Sequence, residues 1–401
     1  MDALTLPDAP WRHWPGLDRL TGALGAGNAR VVGGAVRDTL LDIAVSDLDI
    51  ATPLDPQEVM RRLEGAGIKV IPTGLAHGTI TAVSSGTVVE VTTLRRDLTT
   101  DGRRATVAFT DDWKEDAARR DFTINALYAD PDTGEIFDYF GGRADLAARH
   151  VRFIGDPLRR IAEDHLRILR FFRFLARFGD SPDAESLDAC TARANDLMAL
   201  SRERIADELL KLVVAKDAVR VIALMLERGI FRPVLPEIVS VERFARVMEL
   251  EAEAGLALDP IRRLAALLPA DAAIAEAVGA RLKLSNVQRK RLVCATEADL
   301  LGSPRSAAYR LGREEAIDRL FLFDAPGAVD AARDLTSWDI PRLPLSGGAL
   351  IQRGLTKGPD VARALRAVES QWIEEGFPDA ARLGEIADAV ADQALRSSSS
   401  E

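Results

Sequence analysis

Hydrophobic and polar positions follow two different rhythms along this chain, and the change comes near residue 150. Before it lie short, β-branched, partly alternating runs: Arg30–Val32, SDLDIAT (46–52), IKVIPT (68–73), GTITAVSS (78–85) and TVVEVTTLR (87–95). That period predicts strands. Between them, helical spacing predicts an N-terminal helix over 1–24, a helix after Gly33-Gly34, and a helix over 56–67 with Pro56 in its first turn and glycines at its end. Beyond residue 150 the pattern becomes Ala/Leu/Arg/Glu-rich with a period near 3.6, and strand signals vanish. Ser201 is placed to cap the helix RERIADELLKLVVA. Prolines at 233, 236, 260, 269, 304, 326 and 341–344 separate further helices, of which VARALRAVESQWIEEGF (361–377) is the last. The fold class expected is α+β. It comprises an α/β head with a small mixed sheet (1–148), a helical neck (149–215), a helical body (216–300) and a helical tail (301–395). The low-complexity end RSSSSE (396–401) is expected to be disordered.

Composition narrows the class. A chain of 401 residues that is 47% hydrophobic can fill cores for several domains. No run reaches the roughly 18 uncharged apolar residues of a membrane helix. The start MDALTLPDAPWRHWPG places acids and prolines before any basic cluster, unlike a secretory signal or an Arg-rich transit peptide. Two distant cysteines, Cys190 and Cys294, exclude a disulfide framework and suggest a reducing cytoplasm. The net charge of −10 argues against nonspecific coating of nucleic acid. Yet Arg149, Arg152, Arg159, Arg160, Arg167, Arg170, Arg173 and Arg177 outnumber Asp156, Glu163 and Asp164 in one short stretch. Either a solvated face or a polyanion site accounts for that reversal.

Candidate chemistry begins at Gly33-Gly34, where a strand turns into a helix. Two glycines there let backbone amides approach a phosphate, and Arg37 lies one turn further on. In Ser46-Asp47-Leu48-Asp49-Ile50 the two carboxylates share one face of a strand while Leu48 and Ile50 face a core. Convergent carboxylates repel unless a cation lies between them, and hard oxygen donors suit Mg²⁺. Two such ions beside a triphosphate activate a hydroxyl and neutralise departing pyrophosphate. Glu90, an acid inside a β-branched strand, faces either a cleft or solvent. The segment from Arg95 to Arg104 reads as an arginine-bearing loop that closes over a nucleotide or stays exposed.

Taken in order, GGAVRD (33–38), SDLDIA (46–51), EVTTLRRD (90–97), RRDFTINAL (119–127), DYFGGRADL (138–146) and EDHLRILR (163–170) resemble class II tRNA nucleotidyltransferases, the CCA-adding enzymes, and their bacterial poly(A) polymerase relatives. The resemblance runs through head and neck to about residue 210 and returns at LSGGALIQRGLTKGP (345–359). It implies a nucleotidyltransferase that adds C, C and A to the tRNA 3′ end from CTP and ATP. It implies Mg²⁺ ligation by Asp47 and Asp49 with Glu90 as third catalytic acid, and triphosphate contacts from Gly33, Gly34 and Arg37. Arg120, with Arg119 beside it, would touch ribose or phosphate, and Asp121 and Asn125 would organise that turn near the sugar. Asp164 and Arg167 fall where the family reads the incoming base, and Arg170 and Arg173 continue the row.

On one helix, at about 100° per residue, Asp164, Arg167, Arg170 and Arg173 wind along one side while Ile168, Phe171, Phe172, Leu175 and Phe178 fill the other. Cytosine and adenine each present an amino donor beside a ring acceptor. A carboxylate accepts and a guanidinium donates, so Asp164 with Arg167 complements both bases. Guanine and uracil present the reverse order. Two unpaired groups at about 1–3 kcal/mol each give roughly 30-fold to over 10⁴-fold discrimination.

A poly(A) polymerase would share every head motif. Partial relatives adding only CC or only A are a third possibility; the resemblance implies that CC-only enzymes lack an intact arginine-bearing loop, whereas Arg95 to Arg104 reads as intact and favours competence for A. The acidic net charge and the absence of a basic tail favour the tRNA enzyme, and Asp47, Asp49 and Glu90 together count against a catalytically silent RNA-binding module. Only His13, His77, His150 and His165 occur, none beyond residue 165, so no metal-dependent phosphohydrolase domain is expected, and His77 and His165 are read as structural. Body and tail are expected to hold the tRNA, with Arg262, Arg263, Lys283, Arg289, Lys290 and Arg291 as candidate contacts.

Overall fold

The computed structural model describes residues 5–100, 105–299, 302–356 and 358–398. The chain forms two compact units, Met1–Pro236 and Glu237–Glu401.

The first unit opens differently from expectation. Pro15 and Gly16 divide the anticipated N-terminal helix into a 3₁₀ turn, Pro10–His13, and α1 (Leu17–Leu24). A proline lacks the amide N–H and Gly16 has φ +77°, so the helix cannot run through them. Then follow β1 (Arg30–Val32), α2 (Gly34–Leu40), β2 (Asp49–Thr52) and α3 (Pro56–Gly65). The Asp55 side chain caps α3 by accepting from the amides of Gln57 and Glu58. Next come β3 (Lys69–Gly74), β4 (Thr79–Ser84) and β5 (Thr87–Thr93), as the alternation predicts.

The described part of the arginine-bearing segment, residues 95–100, is a strand rather than a loop. It forms β6 (Arg95–Thr100), paired antiparallel with β7 (Ala105–Phe109) in a separate two-stranded sheet. Residues 101–104, including Arg103 and Arg104, lie outside the described residues. α4 (Trp113–Ala118), β8 (Leu127–Ala129), β9 (Ile136–Asp138) and α5 (Gly142–Ala147) complete the head. Seven strands form one mixed sheet in the order β3-β4-β5-β2-β1-β8-β9. β2 and β5 pair in parallel, with Asp49 opposite Glu90 and Ile50 opposite Val91.

The neck and its continuation are α6 (Pro157–Glu163), α7 (Arg167–Phe178), α8 (Ala184–Ala192), α9 (Arg202–Val213) and α10 (Ala218–Glu227). One strand pair escaped the helical pattern, β10 (His150–Val151) beside β11 (Ser181–Pro182). Ile168, Phe171, Phe172, Phe174, Leu175 and Phe178 are buried on α7, where Phe122 and Phe153 pack against Phe171.

The second unit is helical among its described residues. It comprises α11 (Glu242–Ala254), α12 (Pro260–Leu267), α13 (Ala272–Arg281), α14 (Asn286–Ala295) and α15 (Pro304–Leu311). α16 (Arg313–Leu322), α17 (Ala328–Ser337), α18 (Gly347–Gln352), α19 (Pro359–Glu374) and α20 (Ala380–Ser398) follow. Residues 396–398, expected in a disordered tail, continue α20. Three of the expected RNA-contacting arginines point inward. Arg262 pairs with Asp318 at 2.7 Å and Glu251 at 3.1 Å, Arg263 with Glu251 at 2.7 Å, and Arg291 with Asp318 at 2.7 Å. Arg262, Glu251 and Asp318 are fully buried, so Arg262 and Arg263 join three helices from within, with Arg291 adding α14, rather than offering charge to a ligand. Lys283 and Lys290 are exposed, and Arg289 pairs with Glu276. Among the described residues no helix is long and apolar enough to cross a membrane.

Candidate active site

Alternation along β2 sets the acids. Leu48 and Ile50 are buried at 2% and 0% exposure, which leaves Asp47 and Asp49 on the open side. β2 begins at Asp49, so Asp47 stands just before the strand rather than within it. Ser46 Oγ donates to Asp47 Oδ2 at 2.9 Å. The β2–β5 register places Glu90 beside Asp49. Burial first, then the charge of Glu90, and last that of Asp47, push the Asp49 carboxyl above the usual range, against the pull of Arg120. A bound cation would relieve that repulsion. Among the described residues no group of three or more His, Cys, Asp or Glu is arranged to hold a metal ion unaided. Asp47 and Asp49 offer hard oxygen donors on one open side, the donor type that suits a divalent cation.

The acids line a cleft of about 800 Å³. Gly33, Gly34, Arg37, Asp47, Asp49, Arg120, Asp121, Asn125, Asp164, Arg167, Arg170 and Arg173 all face it. Glu90 does not; it lines a neighbouring groove that shares Ser46, Asp47 and Asp49 with the cleft. Gly33 caps α2 with φ +69°, a left-handed conformation that disfavours any side chain, and a Cβ there would lie 3.4 Å from Arg120 Nη1 and 3.5 Å from the Asn125 carbonyl oxygen. Arg37 is only 6% exposed. It donates to Asn125 Oδ1 and Asp38 and lies 4.2 Å over the Phe178 ring, so it braces the cleft wall more than it reaches into the opening. Asp121 accepts from its neighbour Phe122 N–H, from Asn125 Nδ2 at 3.0 Å and from Arg170 Nε at 2.7 Å. Burial opposes ionisation there, yet Arg170 and Asn125 hold the carboxyl below its usual range.

Sequence reasoning missed the group that orients the arginines. Asp116 on α4 is 1% exposed. It accepts from Arg119 Nε at 2.9 Å, Arg120 Nη2 at 3.3 Å, the Tyr128 hydroxyl at 2.6 Å and the Arg95 amide at 3.2 Å. Its spacing of three and four before Arg119 and Arg120 was the available signal. Glu208 on α9 was missed as well. It pairs with Arg173 at 2.6 Å and lies 3.7 Å from Arg170.

The neck departs from the single helix expected. Asp164 ends α6 in an extended conformation, and α7 begins only at Arg167. Asp164 therefore sits in the corner between two helices, where Oδ1 accepts from the Leu166 amide and Oδ2 from Arg204. Short polar side chains favour such corners by bonding nearby backbone. Arg167 Nη1 donates to Glu163 at 2.6 Å and to the Arg160 carbonyl at 2.9 Å, and Nη2 to the Arg119 carbonyl at 3.1 Å. Its Nε–H and one Nη2–H remain, and each Asp164 oxygen keeps a lone pair.

Residues 29–152 match the family described as Poly A polymerase head domain, and residues 181–241 match the probable RNA and SrmB-binding site of polymerase A. The mouse protein named CCA tRNA nucleotidyltransferase 1, mitochondrial, is 36% identical over 365 residues, covering 87% of this chain and 83% of its own length. The CCA-adding enzyme of Levilactobacillus brevis is 31% identical, covering 88% of this chain and 91% of its own. A crystal structure of the Bacillus stearothermophilus CCA-adding enzyme in complex with CTP superposes with a TM-score of 0.74 at 27% identity, covering 92% of this chain and 94% of that one.

Proposed function

From the premise that this chain belongs to the CCA tRNA nucleotidyltransferase family, we propose that its cleft adds C, C and A to the 3′ end of tRNA from CTP and ATP, releasing pyrophosphate. The observation that carries the reading is one cleft lined at once by Asp47 and Asp49, the Gly33-Gly34 turn and the neck arginines.

In this reading the α2 N-terminus and Arg120 hold the triphosphate, with Arg170 and Arg173 extending the positive wall. Asp121 and Asn125 fix the turn that carries Arg120 and meet the sugar. Asp47 and Asp49 would hold Mg²⁺, two ions in this proposal, which when bound lowers the pKa of the RNA 3′-hydroxyl and neutralises charge at the α-phosphorus. Glu90, beside Asp49 but on the groove side, is the third acid and keeps the field at that strand end negative. Asp164 and Arg167 judge the base through the acceptor and donor capacity their own contacts leave over. They meet it from the two sides of a helical corner rather than along one helix. The helical unit from residue 237 would hold the tRNA by shape and phosphate contacts. A cytoplasmic site of action rests on the cysteine usage alone.

The test supplies tRNA lacking its last three nucleotides with each labelled triphosphate and sequences the product ends. Termination after CCA is expected, and long A tracts would overturn the assignment. Asp47→Ala should abolish incorporation while leaving tRNA binding intact.

A further inference from the structure

The groove that shares Ser46, Asp47 and Asp49 with the nucleotide cleft differs from it in chemistry. It encloses about 790 Å³ and is lined by Trp14, Pro15, Val88, the Ser85-Gly86-Thr87 turn, Ser46, Asp47, Leu48, Asp49 and Glu90. Among the described residues lining it there is no lysine or arginine, whereas the cleft presents Arg37, Arg119, Arg120, Arg167, Arg170, Arg173, Arg177 and Lys211. A triphosphate therefore belongs in the cleft. Phosphoryl transfer places the attacking and leaving oxygens in line across the α-phosphorus. With pyrophosphate leaving among the arginines of the cleft, the arginine-free groove is the approach left to the attacking hydroxyl at the shared acids.

Trp14 gives that side a stacking surface. The protein has five tryptophans. Trp11 is buried and bonded to Thr39, Trp113 packs on Tyr128, and Trp338 and Trp372 pack on Phe377. Trp14 is half-buried and lines the groove. Two residues further on, the chain packs closely on the end of β4, since a Cβ at Gly16 would lie 2.4 Å from Ser84 Oγ. Val88, 57% exposed and also lining the groove, offers apolar surface on the same strand face as Glu90.

We propose that this groove binds the terminal nucleoside of the RNA acceptor, with its base stacked on Trp14 against Val88 and its ribose hydroxyls directed to Asp47 and Asp49. The site takes an RNA end and not a free nucleotide, because base and sugar are neutral and nothing in the groove neutralises a triphosphate. Stacking on an aromatic ring is tolerant of base identity. Such a site accepts the changing end produced by successive additions, while choice of the incoming base stays with Asp164 and Arg167. The inference rests on the nucleotidyltransferase reading and adds the acceptor site to it.

The test measures KM separately for tRNA lacking CCA and for CTP in Trp14→Ala and Trp14→Phe. Trp14→Ala should raise the KM for the RNA roughly 5- to 100-fold with the KM for CTP unchanged, and Trp14→Phe should recover most of the loss. In parallel, an RNA ending in a photoreactive thio-base is crosslinked to the wild-type protein, which requires no variant to fold. Crosslinks to residues 14–16 or 85–88 support the site; crosslinks confined to the arginine cleft overturn it. An unchanged RNA KM in Trp14→Ala, or equal losses for RNA and CTP, also overturns it. If the wild-type protein extends no tRNA at all, the family function itself fails, which is a separate result.

Discussion

At the scale of single residues, the cleft depends on buried carboxylates that hold cations in place. Burial alone would raise the Asp116 carboxyl, but Arg119 and Arg120 outweigh it and keep the group below the ordinary value of 3.8. A group depressed in the folded state contributes stability that is fully present above its unfolded pKa and is lost as pH falls through its folded pKa. Asp116→Asn should therefore be less stable than wild type by about 3–5 kcal/mol at neutral pH, because it leaves buried cations uncompensated. The gap should narrow as pH falls from about 5 towards 2 in urea titrations. Arg167→Ala probes recognition instead. It should relax nucleotide choice, read as a loss of at least about tenfold in the preference for CTP over UTP; an unchanged preference would remove Arg167 from base reading.

At the scale of elements, α7 carries the arginine row because its other side is locked into the head. Phe122 packs at 5.1 Å on Phe174 and 5.0 Å on Phe153, and it adjoins the turn bearing Asp121 and Asn125. Phe122→Ala should cost about 3–5 kcal/mol in denaturant unfolding. It should also raise the KM for CTP and ATP together, since Phe122 adjoins Asp121, which holds Arg170 at 2.7 Å. A destabilised variant with both KM values unchanged would separate the aromatic cluster from the site. The corner at Asp164 belongs to this scale too. A periodicity of 3.6 runs through EDHLRILR without interruption, so nothing in the pattern marked the break. The arginine segment after β5 misled in the opposite direction, because charge suggested a loop where pairing with β7 makes a strand.

At the scale of the whole molecule, two units have distinct cores. The second holds its ionic network of Arg262, Arg263, Arg291, Glu251 and Asp318 across α11, α12, α14 and α16. Glu251→Gln should destabilise residues 237–401 by about 3–5 kcal/mol and leave protection of residues 1–236 nearly unchanged. Hydrogen exchange resolved by peptide reads the difference; a loss spread evenly over both units would mean they unfold as one.

The sequence by itself settled the strands β1 to β5, the largely helical character after residue 150, the facing of Asp47 and Asp49, and, Glu90 apart, the candidate residues that line the cleft. These follow from local rules: period two or 3.6, capping by Asp55, glycines at a strand–helix turn, and the ordered motifs. What only the tertiary structure decided was where each charge spends its hydrogen bonds. Sequence position made Arg262 and Arg263 candidate tRNA contacts, put Arg37 one turn past the glycine pair and set Asp164 on a helix. The folded chain buries the first two among acids, braces Arg37 on Asn125 and Phe178, and turns Asp164 into a corner. An arginine has one sequence signature whether it is solvated, paired or bound to ligand, because the carboxylate that claims it can lie anywhere along the chain. The fold chooses among them by which burial leaves no charge without a partner.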